Sequence, residues 1–273
     1  MKFTVLVDNF VTSSKRGLMG EWGYSALVET DGGSMLIDTG ASGRALLNNM
    51  KILGKDPRSV DHLVLSHGHD DHIGGVRLFC EAASGVKIWS SPQAFRDRFG
   101  DVREFTPENV SGGALLRGVK TTPVAGGAQI LPDVYAFDVP PAGRDARFAM
   151  PPGLFERNDA GEIQADSFAD DLSFLVRGAR GWSILLGCAH ASLPNVVMRI
   201  HELWGIDEFD TIIGGTHMKD LPKDDFDLWF DVMKTWRVKR WRLNHCTGFK
   251  AAARAASLFD DVAWAGVGTV LEL

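Results

Sequence analysis

The sequence predicts a layered α/β fold with its functional residues at the carboxyl ends of strands. Strand-like and helix-like segments follow one another in two successive groups, and each group has strands before helices. A histidine-rich run at 66–75 follows directly on a short apolar strand, which is where open α/β sheets carry their sites. The 273 residues can bury a sizeable core, as one large domain or as two small ones.

The first half of the chain alternates short strands with two helices. The segment 3–7 shows the alternation that is typical of a strand. The DGG run at 31–33 is typical of a hairpin turn. Helical spacing at 46–53 is followed by Gly54, where a helix would end. The predicted strands are 3–7, 24–30, 34–38, 61–66 and 87–90, and the predicted helices are 46–53 and 73–83.

The second half begins with a less regular stretch. Periodicity weakens over about 92–166, which holds many of the Gly and Pro residues, and we predict an insertion packed on the scaffold. Ser192 is placed to cap a helix that Gly205 would end. The aromatic pattern at 226–233 is typical of a core helix. The other predicted elements are strands at 172–176, 182–186, 211–213, 241–245 and 268–273 and a helix at 251–259.

Composition and charge exclude several classes of function. Hydrophobic residues make up 45% of the chain and charged residues 23%, as in ordinary soluble globular proteins. The net charge of −6 gives no cationic field for nucleic acid, and no apolar run is long enough for a membrane span. Cys80, Cys188 and Cys246 are too scattered for a disulfide framework. Without a signal-like N-terminus, we expect a cytoplasmic protein.

The sequence SHGHDDHIGG at 66–75 concentrates metal-binding groups. Imidazole and carboxylate form the ligand set that zinc and similar divalent metals prefer. His67 and His69 are two residues apart and project the same way from an extended loop, whereas Asp71 and His72 lie at a helix start and project elsewhere. One loop therefore offers ligands in two directions, which predicts two neighbouring metal ions rather than one.

The pattern H-x-H-x-D-H, followed by two glycines, resembles the metallo-β-lactamase fold superfamily. Further segments are similar to the strand that supports the metal loop in that superfamily, and to a branch named for a dihydropterin-ribofuranosyl-aminobenzene phosphate synthase. These segments are SMLIDTG at 34–40, GCAH at 187–190, GGTH at 214–217 and NHCTG at 244–248.

The resemblance implies a fold and a ligand set. The fold would be one domain over 1–273, a four-layer αββα sandwich with the metal site at one edge. In the superfamily pattern the H-x-H pair binds a first metal, the D-H pair binds a second, and one downstream histidine completes each set. The metals would be two divalent ions, zinc by preference, with manganese or iron as alternatives. The expected metal ligands are His67, His69, Asp71, His72, His190 and His245.

Two positions depart from the superfamily pattern. Many members carry a metal-bridging aspartate after the strand that here ends at Gly187, and this chain has Cys188 there. A histidine motif usually falls near 166–171, where this chain has aspartates. Either Cys188 or one of Asp170 and Asp171 would then replace the bridging acid. The alternative is that Cys188 is only a small buried hydrophobe.

Five residues are candidates for roles other than metal binding. Asp38 is expected to hydrogen-bond a ligand histidine. Asp71 and His217 are the candidate catalytic residues. His217 follows a glycine pair and would contact substrate or act as acid and base, or else hydrogen-bond within the core. Arg144 and Arg147 are candidate contacts for an anionic substrate.

Such a site suits three functions. Two divalent metals roughly 3.5–4 Å apart can share a water and lower its pKa, which predicts a hydrolase of a phosphoester or a similar small anionic ester. The second hypothesis is the transferase reaction of the branch, which pyrophosphate release would identify. The third is a ligand sensor that uses the fold only for binding. A loss of metal ligands would support it, but this chain keeps the expected ligands.

Overall fold

Two seven-stranded sheets lie face to face in the part of the chain that the computed structural model describes, residues 1–100, 110–151, 153–219 and 221–273. Helices cover the outer face of each sheet. The predicted αββα architecture is therefore confirmed. No helix within these ranges has the length and apolar composition needed to cross a membrane.

The first sheet has an antiparallel and a parallel part. In spatial order it contains β18 (Val270–Glu272), β1 (Lys2–Val7), β2 (Ser25–Thr30), β3 (Gly33–Ile37), β4 (His62–Leu65), β5 (Lys87–Ser90) and β8 (Thr122–Pro123). The strands from β18 to β3 pair antiparallel, whereas β3, β4, β5 and β8 run parallel. The carboxyl ends of β3 and β4 therefore lie at the same edge.

The second sheet repeats this division. In spatial order it contains β17 (Val262–Trp264), β16 (Arg237–Leu243), β15 (Glu208–Gly214), β14 (Gly181–Leu186), β13 (Leu172–Gly178), β10 (Val134–Asp138) and β9 (Ala128–Leu131). The strands from β9 to β14 pair antiparallel, and β14 to β17 run parallel.

Three apolar layers hold the sandwich together. The central layer lies between the sheets and includes Phe3, Phe174 and Leu185, so strands of both sheets are buried on both faces. Trp229 and Trp241 belong to the layer under the helices of the second sheet, as the aromatic pattern at 226–233 predicts. The helices are α1 (Arg44–Ile52), α2 (Asp70–Ile73), α3 (Val76–Ala82) and α4 (Gly113–Leu116) on the first sheet and α5 (Leu193–Trp204), α6 (Lys223–Met233) and α7 (Phe249–Ala256) on the second.

The segment 92–166 contributes to every sheet. β8 extends the first sheet, and β9 and β10 extend the second. A small third sheet contains β12 (Ile163–Ala165), β11 (Phe155–Arg157), β6 (Arg98–Phe99) and β7 (Val110–Ser111). Residues 101–109 and 152 of the predicted insertion lie outside the described residues. The segment therefore includes part of the scaffold as well as an addition to it.

The helix predicted at 73–83 is broken at its start, because α2 ends and α3 begins on either side of two glycines. The chain passes so close to the end of β3 that a Cβ on Gly74 would lie 2.0 Å from Ala41 O, and a Cβ on Gly75 2.5 Å from Thr39 O. This contact holds α2 against the first sheet. Asp71 and His72 of the histidine-rich loop at 66–75 belong to α2 and are held with it.

Candidate metal centre

Loops that follow parallel strands bring the candidate residues together. The loop at 66–69 follows β4, the loop at 187–192 follows β14, and those at 215–217 and 244–247 follow β15 and β16. These strands pair parallel within their sheets, so their carboxyl ends open on one edge of the sandwich. Residues far apart in the sequence therefore meet in one site.

Strained backbone is concentrated at these strand ends. Among the described residues other than glycine, a left-handed φ, which such residues rarely adopt, occurs seven times. All but Asp133 are candidate site residues or their close neighbours in sequence. The six are Asp38, Phe168, Ala189, Ser192, His217 and His245.

His67, His69 and His190 form a first cluster. One nitrogen of each ring lies within 4.8 Å of the other two. Nε2 of His67, Nε2 of His69 and both ring nitrogens of His190 are buried without a hydrogen-bond partner. Because buried polar atoms are nearly always paired, these nitrogens fit a bound cation.

Asp71, His72 and His245 form a second cluster next to the first. Nε2 of His72 lies 3.2 Å from Nε2 of His245, and Oδ2 of Asp71 lies 3.3 Å from the same His245 nitrogen. The rings of His67 and His72 are 4.1 Å apart between centroids, which joins the two clusters. The structure thus brings all six predicted ligands together.

The Cys188 sulfur lies where the two clusters meet. It is 3.1 Å from Nε2 of His72 and within ligand range of donors from both clusters. Neither Asp170 nor Asp171 joins a potential metal-binding group within the described residues, and Asp171 Oδ2 accepts a hydrogen bond from Ala191 N. The geometry therefore favours Cys188 over the aspartates as the shared donor.

Outer hydrogen bonds turn the Nε2 atoms toward the site. Asp38 Oδ2 accepts hydrogen bonds from His72 Nδ1 and from Ser66 Oγ, each at 2.6 Å. Since Ser66 donates its only hydroxyl proton to Asp38, it accepts from His67 Nδ1 at 2.9 Å. Asn9 Oδ1 accepts from His245 Nδ1 at 3.1 Å. Three imidazoles are thereby held through Nδ1 with Nε2 turned toward the site, where a metal can take the place of a proton.

The protonation states of the clusters differ. Burial, and then the charges of neighbouring histidines, hold the pKa values of His67 and His190 well below the usual range, so both are neutral. Burial lowers the pKa of His72, but the charges of Asp71 and Asp38 outweigh it and raise the pKa to about 9. Burial raises the pKa of Asp71, but the charges of nearby histidines lower it below the usual range. Charge in the second cluster thus favours a cation, whether a proton or a metal.

His217 lies on the side of the first cluster. Its ring centroid is 4.2 Å from that of His190, and one of its nitrogens is within ligand range of Cys188. Its backbone N donates to Cys246 Sγ at 3.2 Å. The side chain is half-buried, so it lies beside the clusters with access to the solvent side.

Arg98 supports the histidine-rich loop at 66–75, and the sequence alone did not predict this role. The side chain is only 1% exposed and donates from Nε to Asp166 Oδ2 at 3.0 Å. It also forms an ion pair with Asp170 at 2.8 Å, and Asp170 accepts from Gly68 N at 2.7 Å. Asp166 Oδ2 lies 3.4 Å from His69 Nε2. Asp166 and Asp170 therefore anchor the histidine-rich loop at 66–75, although no pattern near Arg98 predicts its partners.

Arg144 and Arg147, the candidate anion contacts, have partners within the protein. Arg144 donates from Nε, Nη1 and Nη2 to the carbonyls of Val139, Ser167 and Phe168, at 2.9, 2.8 and 2.7 Å. Arg147 is exposed and paired with Asp145. Arg144 instead fixes the turn whose Phe168 ring stacks on His190, with centroids 4.4 Å apart.

Comparisons with known proteins identify similar sequences and folds. The family model of the metallo-β-lactamase superfamily matches residues 23–157. Over 244 residues the chain is 27% identical to the 7,8-dihydropterin-6-methyl-4-(β-D-ribofuranosyl)-aminobenzene-5'-phosphate synthase of Methanocaldococcus jannaschii, covering 84% of this chain and 82% of that protein.

Two solved structures share the fold over the whole chain. One is a metal-dependent hydrolase of the β-lactamase superfamily, 25% identical with a TM-score of 0.81, covering 100% of this chain and 99% of that one. The other is a diphosphatase of the PhnP family, 13% identical with a TM-score of 0.56, covering 100% and 97%. The chain therefore contains a metallo-β-lactamase domain over residues 23–157, and over its whole length it resembles a metal-dependent hydrolase of that superfamily.

Proposed function

We propose that this protein is a hydrolase with two divalent metal ions that acts on a small anionic ester, a phosphoester by preference. The observation that carries the proposal is the pair of donor clusters that meet at Cys188. His67, His69 and His190 would hold one ion, and Asp71 and His245 the other together with the neighbouring His72. Imidazole with a thiolate favours zinc.

The chain positions the donors, and the ions supply the chemistry. When bound, divalent ions act as Lewis acids that activate water and offset charge on the reacting ester. Asp38, Ser66 and Asn9 orient three imidazoles through Nδ1. Asp71 retains 16% side-chain exposure and can accept a hydrogen bond from a water or a substrate hydroxyl on the open side of its cluster. His217 would transfer protons to or from substrate beside His190.

Charge supports an anionic substrate. The proposed donors are five imidazoles, which bind metal as neutral groups, one carboxylate and one thiol that can ionise. Together they cancel only part of the charge of two divalent ions, so the loaded site would attract an anion. The superfamily relative described as a metal-dependent hydrolase is consistent with hydrolysis.

A transferase is the second candidate, and similarity to the Methanocaldococcus jannaschii synthase favours it. The same excess positive charge would stabilise a departing pyrophosphate. The two functions differ in their products, because a transferase releases pyrophosphate only when both of its substrates are present.

The test begins with metal content. We expect close to two divalent ions per chain by elemental analysis, because six ligands and Cys188 converge. Loaded protein would then be screened against phosphodiesters, phosphomonoesters, lactones and thioesters, with pyrophosphate release measured for candidate acceptor pairs. Asp71→Asn should lose most of the activity. Protein purified without chelator that contains no metal would contradict both candidates.

A further inference from the structure

Exposed aromatic side chains gather near the His245 end of the site. Trp22 is 50% exposed and Phe249 is 59% exposed. Of the nine exposed large apolar side chains in the described part of the chain, four lie within residues 10–22. Apolar surface that is concentrated in this way commonly marks a binding site.

Trp22 contacts the metal centre directly. Its ring centroid lies 5.4 Å from that of His245, with the planes tilted by 51°. Lys219 Nζ lies over the indole, 4.7 Å from the ring centroid. An aromatic surface and a cation therefore lie side by side at the margin of the candidate site.

A second group of aromatic rings lies next to the same histidine. The Phe10 ring centroid is 4.7 Å from that of Phe249 and 5.5 Å from that of Trp264. Asp8 fixes this group to the site, because its Oδ1 accepts from His245 N and its Oδ2 accepts from Phe10 N and Trp264 Nε1. The aromatic surface is thus built into the same framework as the metal ligand.

We propose that Trp22 and Lys219 form a subsite for a substrate that carries a flat aromatic ring next to its anionic ester. The ring stacks on the exposed surface of Trp22, and Lys219 pairs with the negative charge between the ring and the metal centre. Aromatic stacking tolerates different substituents on the ring but requires the ring to be planar. The inference rests on the proposed function only in taking the ligand to be an anionic ester.

Binding of two phosphonates that cannot be hydrolysed tests the subsite. The probes are 2-naphthylmethylphosphonate and its fully saturated decahydro analogue, which share their charge but not their planarity. We expect calorimetry to show roughly tenfold tighter binding of the aromatic probe to the protein as purified. Trp22→Leu should bring the ratio close to one, and Trp22→Phe should retain part of it. Lys219→Met should weaken both probes and leave the ratio unchanged.

Trp182→Leu is the matched control. Trp182 also lies beneath a cation, Arg177, at 5.5 Å, but it is at the opposite end of β14 from the site, so its removal should leave the ratio unchanged. Metal content is measured for every variant, and Trp22→Phe carries the test if Trp22→Leu loses metal.

Three results overturn the subsite: no binding of either probe, a ratio near one in the unaltered protein, and an unchanged ratio in Trp22→Leu. Failure to hydrolyse any ester would contradict the proposed function instead, since these probes report binding without turnover.

Discussion

Cys188 gives the site a donor that differs from the usual carboxylate. Its sulfur is 3.1 Å from His72 Nε2 and 3.3 Å from the Cys246 sulfur. Burial and the neighbouring Cys246 raise the pKa of the Cys188 thiol, so the thiolate forms only when a cation compensates its charge. The residue is therefore a neutral thiol in the metal-free protein, and we expect it to become a ligand only when metal is bound.

Two substitutions at Cys188 separate a ligand from a packed side chain. If the thiolate binds metal, Cys188→Ser should lower metal affinity, and Cys188→Asp should restore much of it by supplying a carboxylate. If Cys188 is only packed, Cys188→Ser should be nearly neutral for metal, and Cys188→Asp should lower the melting temperature through an unpaired buried charge. Metal titration and thermal melting of both variants decide between the two.

Asp38 acts through His72 and Ser66, so its removal should be felt at the metal. Asp38→Asn replaces a carboxylate that accepts three hydrogen bonds, and we expect roughly a 10- to 100-fold loss of metal affinity. Asp61→Asn is the control, because Asp61 accepts from Ser34 beside the opposite end of β4. Equal metal affinities of the two variants would remove Asp38 from this role.

At the scale of helices and strands, the sequence pattern predicted those elements whose limits depend on neighbouring residues. The Ser192 cap and the Gly205 end of α5 follow from side-chain capping and from a left-handed terminal residue. β5 and the core helix α6 follow from their apolar patterns. The cluster of candidate ligands at 67–72 was predictable because their spacing is local.

Other features could not be predicted because they depend on long-range contact. The break between α2 and α3 arises from the approach of the β3 end, 33 or more residues away in the chain. The pairing of Arg98 with Asp166 and Asp170 spans about 70 positions. Neither has a periodic signal in the sequence.

The close approach of Gly75 to the backbone of Thr39 and Gly43 leads to a prediction for the break between α2 and α3. Gly75→Ala would place a methyl group against backbone atoms of Thr39 and Gly43, so we expect a destabilisation of about 1–3 kcal/mol and weaker metal binding through displacement of α2. Gly143→Ala is the control, since nothing lies within 4 Å of its added Cβ and its φ is ordinary. Denaturant unfolding and metal titration measure both effects. Similar values for the two variants would contradict the proposed constraint.

For the whole molecule, we expect bound metal to change how stability depends on pH. The pKa of His72 is raised to about 9, so its proton stabilises the metal-free fold fully below about pH 6.5, and this stability is lost as the pH rises through 9. The lowered pKa values of His67 and His190 act oppositely, and they cost stability as the pH falls below about 6.5.

We therefore expect the melting temperature of chelated protein to be highest near neutral pH. Metal-loaded protein should lose the decline on the alkaline side, because the ion replaces the proton beside His72. Melting temperatures between pH 5 and 10, with and without chelator, measure this. Coincident profiles for the two forms would show that metal does not bind at these histidines.

The proposed ligands come from both sheets of the sandwich: the loop at 67–72 follows β4 of the first sheet, whereas His190 and His245 follow β14 and β16 of the second. Ions bound there would be cross-links between two halves that apolar contacts and hydrogen bonds such as that from Gly68 N to Asp170 also join. Binding energy gained at the edge would then contribute to folding cooperativity. The supply of free metal would determine not only whether the enzyme is active but also whether its two halves unfold together or one after the other.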